Sequence, residues 1–193
     1  MLGAIVDALR ARLDLQCEQG LSSTEATLAE QQFGVRFPPL WRQVLRVVHP
    51  VALPVPPRDS DGVLRWTAVP DWRGRDLEST RALIEAPVDG VLFDVEMNGF
   101  WWPEWGARPR RRVDRIAAAR EHLGRAPRLV PLWNHLFVSS DDGAPVLSIV
   151  QTDLYSPAAC LAELLCDGDL HGPAEAGQRI EFWSDLLDWS QGG

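Results

Sequence analysis

Residues 128–151 read RLVPLWNHLFVSSDDGAPVLSIVQ, and this stretch decides the fold class. It contains three short runs rich in aliphatic and β-branched residues, at 128–133, 136–139 and 145–151. Such runs are typical of strands, and Asp141-Asp142-Gly143, between the last two, is a turn signal. The stretch therefore predicts consecutive antiparallel strands.

Helical patterns lie on both sides of this stretch. Ser22 and Glu25 have the spacing of a capping box, Gly34 suits the end of a helix, and Pro38-Pro39 suits the first turn of the next one, which Pro50 ends. The predicted helices cover 2–17, 22–33, 38–49, 76–86, 113–123, 157–166 and 178–189. Two further strands are predicted, at 62–69 and, from the run GVLFDVE, at 90–96, and loops are predicted at 50–60, 98–109 and 167–177.

The order of these elements favours an α+β fold over an alternating parallel α/β fold. We expect a single domain over 1–193, built on a mixed, mostly antiparallel sheet that is flanked by helices. A length of 193 residues and 46% hydrophobic composition suit one soluble domain with a sizeable core.

Charge is unevenly distributed along the chain. The formal net charge is −8 and every basic residue is Arg, because the sequence contains no Lys. The segment 108–128 holds eight arginines against two acids, whereas the rest holds eleven against 25. An acidic body favours basic partners and disfavours non-specific nucleic-acid binding, although it also serves solubility alone.

The sequence also indicates the cellular compartment of the protein. Residues 1–15 lack the features of a signal peptide, and no apolar run is long enough to span a bilayer. Three scattered cysteines, an odd number, do not suit a secreted disulfide scaffold. We therefore expect a cytoplasmic protein with no membrane partner.

Motifs for catalysis are missing from the sequence. It contains no Gly-x-Ser-x-Gly, no phosphate-binding loop and no GxGxxG, and the lack of Lys excludes a Lys nucleophile. Cys160, Cys166 and His171 fit no common zinc spacing, and the cysteines are better explained as ordinary core residues. We expect no enzyme activity, no cofactor and no metal.

Two carboxylates form the first candidate site. Asp94 and Glu96 lie two residues apart in the strand predicted at 90–96, so they would share one face of it, with Glu104 nearby in sequence. Such a pair could do acid–base chemistry, bind an Arg of a partner or face solvent, and the last is favoured.

Tryptophans form the second candidate site. Three of the nine Trp residues, Trp101, Trp102 and Trp105, lie between Asn98 and Gly106. They could anchor a partner, since Trp is common at interface hot spots, or fill a core corner, which is the favoured interpretation. The nearby arginine run at 110–112 is best explained as a solvated helix entry, with internal ion pairs and nucleic-acid binding as the alternatives.

Three blocks together resemble the SUKH superfamily. The first is the helical segment 21–45, which contains FGVRFPP at 33–39. The second is LFDVEMNGFWWPEWG at 92–106, and the third runs from LVPLW at 129–133 to PVLSIVQTD at 145–153. The resemblance covers about 21–165 and leaves 166–193 as a helical extension, while 50–75 matches nothing in the family.

The resemblance implies a binding domain rather than an enzyme. Bacterial members of the superfamily resemble immunity proteins that neutralise polymorphic toxins, many of them nucleases with basic clefts. A basic toxin domain is thus the expected partner. The alternatives are a regulatory adaptor for a cellular protein such as cell-wall or signalling machinery and, less favoured, a small-molecule-binding or enzymatic role. The candidate interface comprises Asp94, Glu96, Asn98, Trp101, Trp102, Glu104 and Trp105, and the acidic tail 163–188 could serve either function.

Overall fold

Seven helices and six strands make up the computed structural model, which describes residues 2–12, 14–64, 66–166 and 178–191. The helices within these residues are α1 (Leu2–Ala11), α2 (Ser23–Phe33), α3 (Pro39–Val47), α4 (Leu77–Phe93), α5 (Arg112–Leu123), α6 (Leu161–Cys166) and α7 (Trp183–Ser190). The strands are β1 (Leu15–Gln19), β2 (Val48–Ala52), β3 (Val130–Trp133), β4 (Leu136–Val138), β5 (Val146–Val150) and β6 (Asp153–Ala158). A π-helix (Asp94–Asn98) continues α4, and a short 3₁₀ turn follows at Pro103–Trp105.

The central sheet has the strand order β3-β4-β5-β6, and every neighbouring pair in it is antiparallel. Its first three strands lie where the sequence predicts them, and the Asp141-Asp142-Gly143 turn joins β4 to β5. The α+β prediction is confirmed. The expected mixed pairing is wrong for the described residues, because the second sheet, β1-β2, is antiparallel as well.

Both faces of the central sheet are buried. Val130, Leu132 and Val146 belong to a core that includes residues of α1, α2, α3 and α6. Leu129, Phe137 and Leu147 belong to a second core, with residues of α4, α5 and α7. Burial on both faces explains why the strands read as continuous apolar runs instead of alternating with polar residues.

The two-stranded sheet was not predicted. The helix expected at 2–17 ends at Ala11, and LQCEQ at 15–19 pairs with VHPVA at 48–52. Pro50 lies opposite Cys17 in this sheet, so it follows α3 within a strand instead of opening the predicted loop. A sheet of two strands consists only of edges, where proline is tolerated.

The strand predicted at 90–96 is wrong. This run completes α4 and enters the π-helix, although Pro87 lies inside the helix. Ile84, Pro87, Val91 and Val95 are buried, at the three- to four-residue spacing of a helix rather than the alternation of a strand. Gly90 lets α4 approach the β5–β6 turn, since a Cβ atom here would lie 2.8 Å from the Cα of Gln151.

Other boundaries also differ from the predictions. The residues predicted as a strand at 62–69 form only an isolated bridge between Arg58 and Leu64, and residue 65 lies outside the described part. The helix expected from 157 begins at Leu161, because β6 extends to Ala158, and the last helix begins at Trp183. The loop predicted at 167–177, with His171, lies outside the described residues.

No helix in the described part of the chain is long and apolar enough to cross a membrane.

Predicted helix caps are confirmed in α2. Ser22 Oγ accepts a hydrogen bond from the Glu25 backbone N–H, and Glu25 accepts one from the Ser22 backbone N–H in return. Gly34 ends the helix in the left-handed region, at φ 62°. The start of α3 has a remote cap, because the Leu40 N–H donates to both carboxylate oxygens of Asp142 at 2.9 Å.

A buried histidine links β2 to the loop before α4. The His49 side chain is 0% exposed, and the backbone N–H of Trp72 donates to its Nε2 at 3.3 Å. Arg73 Nη1 lies 2.9 Å from His49 Nδ1, and Arg73 also pairs with Glu25 and Glu18. Burial and the neighbouring Arg73 charge lower the pKa of His49 to about 4, because together they outweigh the Asp71 and Glu18 carboxylates, which raise it.

We therefore predict that acid destabilises the fold through His49. The unfolded chain protonates this ring near its ordinary pKa of 6.5, whereas the folded protein does so only near 4. The unfolded state thus binds more protons between these values, so the free energy of unfolding falls as the pH falls through this window. The loss amounts to about 3 kcal/mol.

Urea denaturation of wild type, His49→Gln and His135→Gln across this pH range tests the prediction. His135 is exposed and serves as the matched control. We expect His49→Gln to flatten the pH dependence and His135→Gln to leave it unchanged. Equal pH dependence in all three proteins would show that His49 does not titrate in this way.

Candidate functional site

Asp94, the first predicted site residue, is buried and engaged within the protein. Its Oδ2 accepts hydrogen bonds from the Thr152 backbone N–H at 2.9 Å and from the Thr152 hydroxyl at 2.6 Å. Its Oδ1 accepts one from the Asn98 side-chain amide at 2.5 Å. These contacts hold the π-helix against the β5–β6 turn.

Glu96 has a different environment from Asp94. The prediction that they share one face is wrong, because in a helical segment residues two apart point in different directions. Glu96 is partly exposed and forms an ion pair with Arg112, at the start of α5. Glu104 is exposed, with no ion pair among the described residues, and the side chain of Asn98, although exposed, is held by Asp94.

The tryptophan segment forms a corner of the second core. Trp102 is buried, while Trp101 and Trp105 are partly buried and in edge-to-face contact with each other, their centroids 5.3 Å apart. Trp105 also stacks on His122 of α5 and on Phe182 ahead of α7. This arrangement agrees with the favoured interpretation of the segment as a core corner.

The arginine run near this corner lies at an exposed helix entry. Arg112 pairs with Glu96 and Arg111 with Asp114, and the Arg115 side chain donates to the Arg110 carbonyl at 3.0 Å. Internal ion pairs, one of the predicted alternatives, thus occur together with solvation.

An exposed stripe along α4 was missed by the sequence reasoning. Glu85, Asp89, Phe93 and Met97 follow one another at four-residue spacing, and all four are exposed. Phe93 is 46% and Met97 63% exposed, so two large apolar side chains continue the line of the two carboxylates. Neither Glu85 nor Asp89 has a hydrogen bond or ion pair to another described side chain. A helical period across 84–97 would have indicated this stripe.

A groove of about 580 Å³ opens beside this stripe. Glu85 and Asp89 line its α4 wall, and Arg120 and Arg128 lie among the lining residues contributed by α5 and the segment before β3. Further lining comes from the apolar residues Ile84, Pro87, Val88, Leu92, Leu123, Leu129 and Trp183. We call the stripe and the groove together the α4 face.

The groups of the α4 face could contact a ligand that is both cationic and apolar. Glu85 and Asp89, which have no side-chain partner among the described residues, can accept hydrogen bonds from cationic groups, and the neighbouring apolar surface can bury aliphatic or aromatic side chains. Among the described residues, no cluster of three His, Cys, Asp or Glu side chains is placed to hold a metal ion.

Comparisons with protein-family models, with curated proteins and with solved structures found no match to this chain.

Replacement of Asp94 and replacement of Glu96 should lower the free energy of unfolding by very different amounts. We expect Asp94→Ala to lower the free energy of unfolding by about 2–4 kcal/mol, because it removes a buried acceptor and leaves the partly buried donors of Thr152 unsatisfied. Glu96→Ala, which removes a surface ion pair, should lower it by less than about 1 kcal/mol. Urea denaturation measures both. Similar losses in the two variants would contradict a structural role for Asp94.

Proposed function

We propose that this protein is a non-catalytic binding domain whose α4 face docks a basic partner protein. The observation that carries this proposal is the stripe of unpaired carboxylates, Glu85 and Asp89, continuing into exposed Phe93 and Met97. Carboxylates without internal partners keep their full attraction for an incoming cation, and exposed apolar side chains supply area to bury.

Charge on the groove walls would also orient the partner. Cationic side chains of a docked segment would face Glu85 and Asp89, whereas its anionic groups would face Arg120 and Arg128 on the opposite side. Such an arrangement favours one direction of binding and disfavours partners with the reverse pattern.

The partner that we propose is a toxin domain, which this protein would neutralise in the cytoplasm as an immunity protein. Two features support this choice: the resemblance to the SUKH superfamily and the acidic net charge of −8. An immunity protein must bind before its toxin acts, and complementary charge speeds association.

Capture of the partner from lysate of the source organism, followed by measurements on the purified pair, tests the proposal. We expect a basic protein that inhibits growth when expressed alone and not when co-expressed with this chain. Its association rate should fall as salt rises, because salt screens exposed charges. A salt-insensitive complex with a non-toxic cellular protein would instead support the adaptor alternative.

Charge reversal at one position locates the interface. Asp89→Arg should slow association by at least about tenfold and weaken the protection of cells, since it places a cation against a basic partner. Asp7→Arg makes the same change in net charge at an exposed position on α1 and should have little effect. Equal slowing by both variants would mean that only net charge matters, and no effect of Asp89→Arg would exclude the α4 face as the interface.

A further inference from the structure

A second concave surface, of about 750 Å³, lies along α2, α3 and the loop between them. Its polar lining includes three arginines, Arg36, Arg42 and Arg46, together with Gln31, Gln43 and Ser140. We call it the α2–α3 groove. The function proposed above does not use this surface.

Among the described residues, a single carboxylate lines this groove, and it is already engaged. Glu30 accepts a hydrogen bond from the Phe37 backbone N–H at 3.0 Å and pairs with Arg42. Arg36 and Arg46 are exposed and have no hydrogen bond or ion pair to any other side chain in the described part of the protein. The groove is therefore a local cationic site on a protein of net charge −8.

The arginines are placed to act together. Arg42 and Arg46 lie four residues apart, on the same side of α3. Contacts with Glu30 and the Thr27 hydroxyl hold Arg42 in position, which lowers the entropy lost when a ligand binds. Buried Val35 and Phe37 line the groove from the core side. A guanidinium group donates bidentate hydrogen bonds to phosphate or carboxylate oxygens.

We propose that the α2–α3 groove binds a small polyanion that carries at least two phosphate or carboxylate groups. Arg36 and Arg46 have no side-chain partner among the described residues, and the amides of Gln31 and Gln43 and the Ser140 hydroxyl are further donors. These groups suit a ligand with several anionic groups better than a ligand with a single one. The adjoining depression shares Arg46 and also holds Arg73, but Arg73 pairs there with Glu18 and Glu25, so the excess of positive charge does not extend into it. This limit favours a compact ligand over a nucleic-acid strand, whose backbone would meet these carboxylates.

Calorimetric titration of the whole protein at low salt with inorganic tripolyphosphate tests the proposal, and orthophosphate is the comparison. We expect tripolyphosphate to bind with a stoichiometry of one and orthophosphate to bind at least about tenfold more weakly, because it engages fewer guanidinium groups. No binding of tripolyphosphate, or equal affinity for both anions, would overturn the proposal. So would tighter binding of a single-stranded RNA oligonucleotide than of tripolyphosphate.

Single arginine variants test whether tripolyphosphate binds in the α2–α3 groove. Arg36→Gln and Arg46→Gln should each weaken tripolyphosphate binding by at least about tenfold, while Arg10→Gln, an exposed arginine of α1, should change it by less than about twofold. All three side chains are exposed, so the variants should fold, and circular dichroism checks this. Equal losses in the three variants would show non-specific charge attraction and overturn the assignment.

Discussion

Burial of the central sheet on both faces is the constraint on which the rest of the structure depends. The two apolar faces of β3–β6 must each be covered, and the chain supplies separate sets of helices for this purpose. α1, α2, α3 and α6 cover one face, whereas α5, α7 and most of α4 cover the other, with Ile84 of α4 packing in the first core. The tryptophan corner follows from this arrangement, because the segment between α4 and α5 folds back onto the second set.

Two carboxylates connect the helices to the turns of the central sheet, one for each set of helices. Asp142, in the β4–β5 turn, accepts the Leu40 N–H at the start of α3. Asp94, after α4, accepts both donors of Thr152 in the β5–β6 turn. Each of these two hairpin turns is thus linked by one buried or half-buried carboxylate to one layer of helices. Such contacts to backbone N–H groups are strong because they are charge-assisted.

Local rules predicted those parts of the fold that depend on neighbours in sequence. The strands within 128–151 and the capping box of α2 are of this kind, since β-branched runs and cap spacing act over a few residues. The error at 90–96 has a tertiary cause: Leu92 and Val95 are apolar because α4 packs on the sheet, and a short apolar run does not distinguish a strand from a buried helix. The β1–β2 pair depends on residues about 30 apart, so local patterns could not reveal it.

The candidate site was only partly predictable for a related reason. Sequence identifies acids, but only the fold shows which of them have internal partners. Asp94 and Glu96 are engaged within the protein, whereas Glu85 and Asp89 are not, although all four lie along one continuous helical segment.

The same distinction applies to the arginines, because Arg42 and Arg112 are paired while Arg36 and Arg46 are unpaired. The net charge of the protein therefore does not indicate where the α4 face or the α2–α3 groove lies. An unpaired exposed charge, unlike a paired one, gives up no internal contact when a ligand binds, so a partner can use its full attraction. The α4 face and the α2–α3 groove carry such charges on helices whose buried faces lie largely in different cores, so the two proposed ligands would not compete for the same surface.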